Sequence, residues 1–203
     1  TWKLAEHVDE VFREYFRCWL HNDDARVMGT LRRQLTARGI LAETYLREEF
    51  DWVRSALPSA ARNQYLAMDR IGRRVAINED RRKDVLSGLV GWEQKMEQVG
   101  VVDYLALTNA LIGKLDMLTP RYDHVLIDEA QDFGTTELSI VRKLVSPNPN
   151  DIFLCGDIAQ TVLPKHRSLG MAEIQLSARD RIMQNYRNSR EILKAAHALL
   201  INN

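Results

Sequence analysis

The sequence predicts an α/β fold in which a large helical region precedes a parallel strand–helix–strand unit. Residues 1–119 repeat apolar side chains at helical spacing, with few prolines or glycines to interrupt them. After Pro120 there are instead two short apolar runs, each of which ends in an acid, with a helical stretch between them. A strand, a helix and a strand within so short a length form a βαβ unit, whose two strands are parallel.

The helical region is expected to contain several amphipathic helices. The first is indicated by apolar residues at helical spacing, namely Leu4, Val8, Val11, Tyr15 and Trp19. A second helix is predicted over 41–57 and stops before Pro58. Two more are predicted over 81–99 and 101–118, joined at Gly100.

The two predicted strands are HVLID, residues 124–128, and DIFLCGD, residues 151–157. The stretch between them, TTELSIVRKLVS, begins with threonines that are candidates for the helix N-cap. Both strands end in a carboxylate, Asp128 or Asp157. We therefore expect these acids at the same edge of the sheet, where open α/β sheets bind ligands.

The remainder of the chain gives weaker signals. AEIQL (172–176) and RIMQNY (181–186) are candidates for further strands. SREILKAAHALLI (189–201) predicts an amphipathic helix. Because the chain starts without methionine and ends just after this helix, we interpret it as a piece of a longer protein.

The composition is that of an ordinary soluble globular chain, with 45% hydrophobic and 28% charged residues and no net charge. No apolar run approaches the length of a membrane span. Two cysteines are too few for a disulfide framework or a thiolate metal site, and the five histidines show no metal-ligand spacing. We expect an intracellular, cytoplasmic protein without a membrane partner.

Charge is unevenly distributed along the chain. Residues 31–83 hold 12 Lys/Arg against 7 Asp/Glu, whereas residues 84–133 hold 3 against 9. The basic surplus could attract a phosphate backbone, and the acidic one could hold a metal ion. The alternative for both is a solvated surface.

Asp128 and Glu129 are the first candidates for chemistry. One carboxylate can hold a magnesium ion, and the next can orient or deprotonate an attacking water. The alternative is that acids at a strand end merely face solvent. Asp157 and Gln160 follow the neighbouring strand. The convergence of polar groups from two strand ends favours a nucleotide site.

A second candidate site is QNYRNSREIL, residues 184–193, which places Tyr186 and Arg187 just before the last predicted helix. An aromatic ring can stack on a purine, and a guanidinium can neutralise charge on a transferring phosphoryl group. Alone, the pair could equally be a packed tyrosine beside a surface arginine.

Three segments together resemble the UvrD/Rep-like family of superfamily-one helicases. DEAQD (128–132) is similar to the Walker B motif, GDIAQ (156–160) to the third motif and NYRNSREIL (185–193) to the fourth. The resemblance implies part of a RecA-like P-loop NTPase domain with ATP and Mg²⁺ as cofactors. It also implies roles for five residues: Asp128 for magnesium, Glu129 for activating water, Gln160 for sensing the γ-phosphate, Tyr186 for stacking on adenine and Arg187 as an arginine finger.

The remaining motif residues receive more general assignments. Asp157 belongs with the nucleotide-binding group, and we expect local hydrogen-bonding roles for Gln131 and Asp132. The resemblance implies that 1–119 is a helical subdomain inserted in the first motor domain. Residues 120–180 would then be the ATPase core segment, and 181–203 the start of the second motor domain.

The helical region resembles the family's inserted subdomain in EEFDWV, MDRIGRR and GVVDYLALTNAL. In that context Arg70, Arg73 and Arg74 are candidate contacts to the DNA phosphate backbone. The alternative is that they form salt bridges within the helical region.

Two elements of the family pattern are not found. A phosphate-binding loop reads G-x-x-x-x-G-K-[ST], but the single Gly-Lys pair, Gly113-Lys114, has Thr108 in place of the first glycine and is followed by Leu115. In addition, the run 161–164 lacks the aromatic residue that the family often uses to stack on a DNA base. We therefore expect the chain alone to bind ATP weakly or not at all, and not to hydrolyse it.

The resemblance implies an ATP-dependent helicase or translocase that moves 3′ to 5′ on single-stranded or partly duplex DNA. RNA remains a possible substrate, because backbone contacts do not identify the sugar. Two alternatives stay open. The same motor could be coupled to a nuclease or a defence system, or the chain could be an inactive interaction module that kept the fold.

Overall fold

The computed structural model describes residues 3–4, 8–20, 26–73, 75–182, 184 and 186–201. Among the described residues, the helical half has two short strands and five α-helices: β1 (Lys3–Leu4), α1 (Asp9–Leu20), α2 (Arg26–Ala37), α3 (Ala42–Ala56), α4 (Glu79–Gln98), β2 (Val101–Val102) and α5 (Tyr104–Ile112). A 3-10 helix over Ser59–Leu66 lies between α3 and α4, and a shorter one over Leu115–Met117 follows α5. The prediction of a mainly helical first half is confirmed.

The helical prediction fails at one point, the stretch that was expected to be continuous helix over 101–118. Val101–Val102 forms a strand that pairs in parallel with Lys3–Leu4. The helix starts only at Tyr104, because the Asp103 side chain caps it by accepting a hydrogen bond from the Ala106 N–H at 2.8 Å. Leu4, which was assigned to the first helix, lies in β1.

An aromatic cluster holds the helical half together. The ring of Phe12 on α1 meets the edge of Trp92 on α4, with 5.1 Å between centroids, and meets Phe50 on α3 at 5.9 Å. Trp92 and Phe50 are fully buried. Since burying one such side chain is worth about 1.5–3 kcal/mol, this cluster fixes how α1, α3 and α4 pack.

A buried ion pair ties α3 to the start of α5. The Arg54 guanidinium is fully buried and donates from both terminal nitrogens to the Asp103 carboxylate. Asp51 on α3 accepts a further bond from Arg54 at 3.2 Å. Burial would raise the pKa of Asp103, but the hydrogen bonds and charge of Arg54 outweigh it and lower that pKa.

Within the described ranges, the main elements of the α/β half are β3 (Val125–Ile127), α6 (Thr135–Leu144), β4 (Ile152–Leu154) and α7 (Arg190–Ile201), and short 3-10 helices over Ala130–Asp132 and Ile158–Gln160 follow the two strands. Strands β3 and β4 pair in parallel, with Val125 opposite Ile152 and Ile127 opposite Leu154. The chain therefore forms the βαβ unit that the sequence predicts. Its core is small and lies where Ile127, Leu138 and Ile174 pack together.

The weaker strand candidates, 172–176 and 181–186, form no strand in the described part of the chain. Ala172 and Ile174 instead bury their side chains while the backbone turns between them, with Glu173 at a positive φ of 57°. Helix α7 forms as predicted, but every side chain described from residue 186 onwards is exposed. None of the described helices could cross a membrane, given their length and polarity.

The two halves meet where α6 packs against α3 and α5. The Thr136 hydroxyl at the start of α6 donates to the Ser55 carbonyl at 3.2 Å. Gly134 lies so close to α3 that a Cβ there would come within 2.8 Å of Ser55 Cβ. This glycine allows α6 to begin directly against the helical half.

Candidate functional site

The carboxyl ends of β3 and β4 form one polar edge. Cys155 N–H donates to the Ile127 carbonyl at 2.8 Å, and Ala130 N–H donates to the Cys155 carbonyl at 2.8 Å. These bonds extend the parallel pairing beyond the strands and hold the two following turns side by side. Asp128 and Asp157 consequently follow the same edge of the sheet, as expected from the sequence.

Glu129 has an unusual backbone conformation. Its φ of 51° and ψ of 42° are left-handed, a region that costs a side-chain-bearing residue about 1–2 kcal/mol. Its N–H donates to the Asp128 carboxylate at 2.9 Å. This turn separates the two neighbouring acids and leaves both side chains exposed. Strained backbone of this kind is concentrated at functional sites.

Gln131 joins the two strand ends. Its amide nitrogen donates to Glu129 Oε2 at 2.5 Å, and its amide oxygen accepts the Asp157 N–H at 3.0 Å. The side chain is buried, so this bridge is shielded from competing water. The local hydrogen-bonding role predicted for Gln131 agrees with this geometry.

Gly156 makes room for that bridge. A Cβ at this position would lie 2.4 Å from Gln131 Oε1 and 3.0 Å from Ala130 N. Any larger residue would push the amide away from Asp157. Neither the bridge nor the need for this glycine was expected from the sequence. The Gly156-Asp157 pair shortly after β4 is the sequence feature that could have indicated a close approach of the backbone.

Asp157 and Gln160 form a second small group. The Gln160 amide donates to Asp157 Oδ2 at 3.0 Å, and Ala159 N–H donates to Oδ1 at 2.9 Å. These bonds, with Gln160 the larger contributor, lower the pKa of the Asp157 carboxyl. Asp157 thereby holds Gln160 beside the strand end.

The edge fits a magnesium ion that is bound mainly by phosphates and water. No group of three or more His, Cys, Asp or Glu side chains is placed to hold a metal among the residues described. In nucleotide sites, however, Mg²⁺ is usually held by one or two carboxylates together with the phosphates. The exposed Asp128 carboxylate offers one such ligand.

The fourth-motif residues lie in an open part of the chain. Tyr186 is 79% exposed, and its hydroxyl donates to Gln184 Oε1 at 3.0 Å. Arg187 is exposed too. The adenine-stacking role of Tyr186 and the arginine-finger role of Arg187 stay predictions.

The basic residues of the helical half are paired internally. Arg70 donates to both oxygens of Glu49 at 2.7 Å, and Arg73 donates to Glu49 Oε2 at 2.7 Å and to Glu48 at 3.0 Å. The side chains of Arg70 and Arg73 are only 5% and 6% exposed. For these two, the structure shows the salt-bridge alternative. Arg74 lies outside the described residues, and a DNA contact by any of the three stays a prediction.

Comparison with known families gives a match over most of the chain. The family model described as the UvrD/REP helicase N-terminal domain matches residues 4–163. This range includes the helical half, both strand ends and the turn after Gln160.

Two curated relatives are similar over a shorter stretch. An ATP-dependent helicase/nuclease subunit of Natranaerobius thermophilus is 31% identical over 83 residues, which cover 35% of this chain and 6% of the relative. The protein of the same name from Latilactobacillus sakei subsp. sakei is 27% identical over 84 residues, covering 36% of this chain and 9% of the relative. The aligned stretch thus spans less than a tenth of either relative. No solved structure gives a significant match.

Proposed function

We propose that this chain is the central part of an ATP-dependent DNA helicase or translocase, because it belongs to the UvrD/REP helicase N-terminal domain family. Residues 120–180 would supply an ATPase core segment of RecA-like type, 1–119 its inserted helical subdomain, and 181–203 the start of the second motor domain. The expected substrate is single-stranded or partly duplex DNA, with movement from 3′ to 5′.

One observation carries the proposal: Gln131 bridges the ends of the two parallel strands. It contacts the Glu129 carboxylate on one side and the Asp157 backbone on the other. A solvated, unused strand end would need neither the left-handed Glu129 nor the close approach of Gly156. The arrangement costs conformational energy and presents ordered carboxylates at the edge where such sheets bind ligands.

The chemistry assigned to the chain's own side chains follows from this order. Glu129, held by Gln131, would accept the proton of a water that attacks the terminal phosphate. Gln160, held by Asp157, would donate to a phosphate oxygen. Asp128 would hold Mg²⁺, which neutralises phosphate charge when bound. Tyr186 and Arg187 would complete the site on adenine and on the transferring phosphoryl group.

A second candidate function is the motor of a helicase–nuclease. It is favoured by the names of both curated relatives, which describe each of them as a helicase/nuclease. The ATP-hydrolysing site would be the same. The two candidates differ only in whether the complete polypeptide also cuts DNA, which a nuclease assay on that polypeptide would decide.

The test of the proposal is Glu129→Gln in the polypeptide that contains this chain and a phosphate-binding loop. We expect DNA-stimulated ATP hydrolysis to fall by about a hundredfold or more, because glutamine keeps the shape but cannot accept a proton. ATP affinity, measured by equilibrium titration, should stay within a few-fold. Lys143→Met, which alters an exposed side chain on α6, is the control. Hydrolysis near the wild-type rate in Glu129→Gln would remove this residue from its assigned role.

A further inference from the structure

The segment Lys165–Ser168 follows the third motif and has no part in the function proposed above, yet it is well anchored. Its first residue reaches back to the turn after β3, and its second is buried against α3. Between Gln160 and Lys165 the chain is short and almost entirely exposed. The segment therefore connects the third motif to the Walker B-like turn and to the helical half.

Lys165 hydrogen-bonds to the end of the turn that begins at Glu129. Its ammonium donates to the Asp132 carbonyl at 2.9 Å and to both oxygens of Glu137, at 2.7 and 2.8 Å. Glu137 Oε2 also accepts the Gly134 N–H at 2.5 Å. A single cation thus fixes the last residue of the turn and the first turn of α6 in one mostly buried group. Hydrogen bonds to charged groups are the stronger kind.

One backbone hydrogen bond links Asp132, which Lys165 holds, to Glu129. Asp132 N–H donates to the Glu129 carbonyl at 2.9 Å and closes the 3-10 turn Ala130–Asp132. Glu129 begins this turn in its left-handed conformation, which the chain would leave if the turn were released. The Lys165 bond to Asp132 is therefore placed to keep Glu129 strained and its carboxylate facing Gln131.

His166 anchors the same segment to the helical half. Its N–H donates to Ser55 Oγ at 2.9 Å, and its carbonyl accepts the Thr135 N–H at 2.9 Å. The Thr135 hydroxyl lies 2.8 Å from His166 Nδ1 and accepts the Ser168 N–H at 3.0 Å. Since these hydrogen bonds are buried or partly buried, they fix the position of His166 and therefore of its neighbour Lys165 beside the turn.

We propose that Lys165 is a positioning residue for Glu129, which it acts on by holding the Asp132 carbonyl and the Glu137 carboxylate together. The role of Glu129 in activating water belongs to the proposed function, and this inference rests on it. The effect of Lys165 on the turn itself does not depend on any reaction.

The first arm of the test uses the chain alone and measures hydrogen exchange of the amides of 130–134. Lys165→Met should raise exchange of the Asp132 and Gly134 amides by at least about tenfold, because the turn loses its charged hydrogen bonds. Lys165→Arg keeps the cation and should restore protection. Amides of α4 should not change in either variant, and Lys143→Met should leave all of them unchanged. Unaltered exchange in Lys165→Met would overturn the proposal.

The second arm uses the complete polypeptide with a phosphate-binding loop. Lys165→Met should lower kcat for ATP hydrolysis about tenfold with KM for ATP within about twofold, and Lys165→Arg should recover most of it. Faster exchange with an unchanged kcat, in a polypeptide where Glu129→Gln is inactive, would also overturn the proposal. If Glu129→Gln is fully active, the proposed function fails, whereas the exchange arm still decides whether Lys165 holds the turn.

Discussion

The helical half and the α/β half differ in where they keep their charged groups. In the helical half, Arg54 and Glu49 are fully buried and paired, inside a core rich in aromatic rings. In the α/β half, the core is small and the carboxylates of Asp128, Glu129 and Asp157 are exposed. The first half thus pairs charged groups inside its core, while the second exposes three carboxylates at one edge of its sheet.

Contacts with the helical half help to hold the exposed edge in place. Leu126 and Phe153 lie opposite each other in the sheet and are 76% and 59% exposed, so one face of the strands is uncovered. The hydrogen bonds that Thr136 and His166 donate to Ser55 attach the α/β half to the helical half. Substitutions at buried and at exposed positions test this difference between the two halves.

The largest expected effect on stability is that of Glu49→Gln. Glu49 accepts hydrogen bonds from Arg70, Arg73 and Tyr65. Glutamine would leave the buried Arg70 guanidinium without its counter-charge and Arg73 with the partly exposed Glu48 alone, and breaking a buried pair typically costs about 3–5 kcal/mol. Urea unfolding of the chain measures the loss.

The matched control is the neighbouring acid. Glu48 pairs with Arg73 at 3.0 Å, but its side chain is 43% exposed. We expect Glu48→Gln to cost less than about 1 kcal/mol. Equal losses for Glu48 and Glu49 would contradict the contrast between buried structural charge and exposed charge.

A pair of leucines compares the cores of the two halves directly. Leu89 on α4 is fully buried, whereas Leu126 on β3 is largely exposed. Leu89→Ala should lower the free energy of unfolding by about 2–5 kcal/mol, because it opens a cavity. Leu126→Ala should change it by about 0.5 kcal/mol at most. A large loss from Leu126→Ala would mean that the uncovered face is part of the folded core.

The smallest expected effect is a difference in pH response between the halves. Burial would raise the pKa of Glu49, but hydrogen bonds and charge from Arg70 and Arg73 outweigh it and lower that pKa. The stabilisation from Glu49 is thus present above about pH 4.3, the value for an unfolded glutamate, and is lost as pH falls through the lower folded value.

At the junction, the pH window is higher. Burial among Ser55, Thr135 and Trp52 lowers the pKa of His166, so the folded state favours the neutral ring. Its contribution is present above about pH 6.5 and is lost as pH falls from there through the folded value. An NMR titration of the His166 ring should give a midpoint below about 6.5, while α4 amides stay unchanged until far lower pH. A midpoint above that value would contradict the buried neutral ring.

Local patterns predicted the parts of the fold that local chemistry decides. Helical spacing and Pro58 predicted a helix that stops before that proline, as α3 does at Ala56. Two apolar runs that each end in an acid predicted the parallel strands with Asp128 and Asp157 at one edge. The pairing of Lys3–Leu4 with Val101–Val102 could not be predicted, since two residues are too few to show alternation.

The features of the site that the sequence left open or did not show depend on tertiary contacts. The internal pairing of Arg70 and Arg73 requires Glu49 to face them from α3, which charge counting cannot show. The Gln131 bridge requires the turns after β3 and β4 to lie side by side. The segment 185–193 resembles a fourth motif in sequence, but the roles predicted for Tyr186 and Arg187 depend on neighbours that the segment's own residues do not specify.

The left-handed backbone at Glu129 has a consequence for protein engineering. Glycine, and to a lesser degree asparagine, adopts such a backbone at less cost, so both would be favoured there in a screen that selects for abundance or heat resistance. Under the proposed function, a screen that selects for turnover would instead retain the carboxylate. Selection for stability and selection for turnover thus favour different residues at this position. A library of variants that is screened for stability should therefore keep glutamate at position 129.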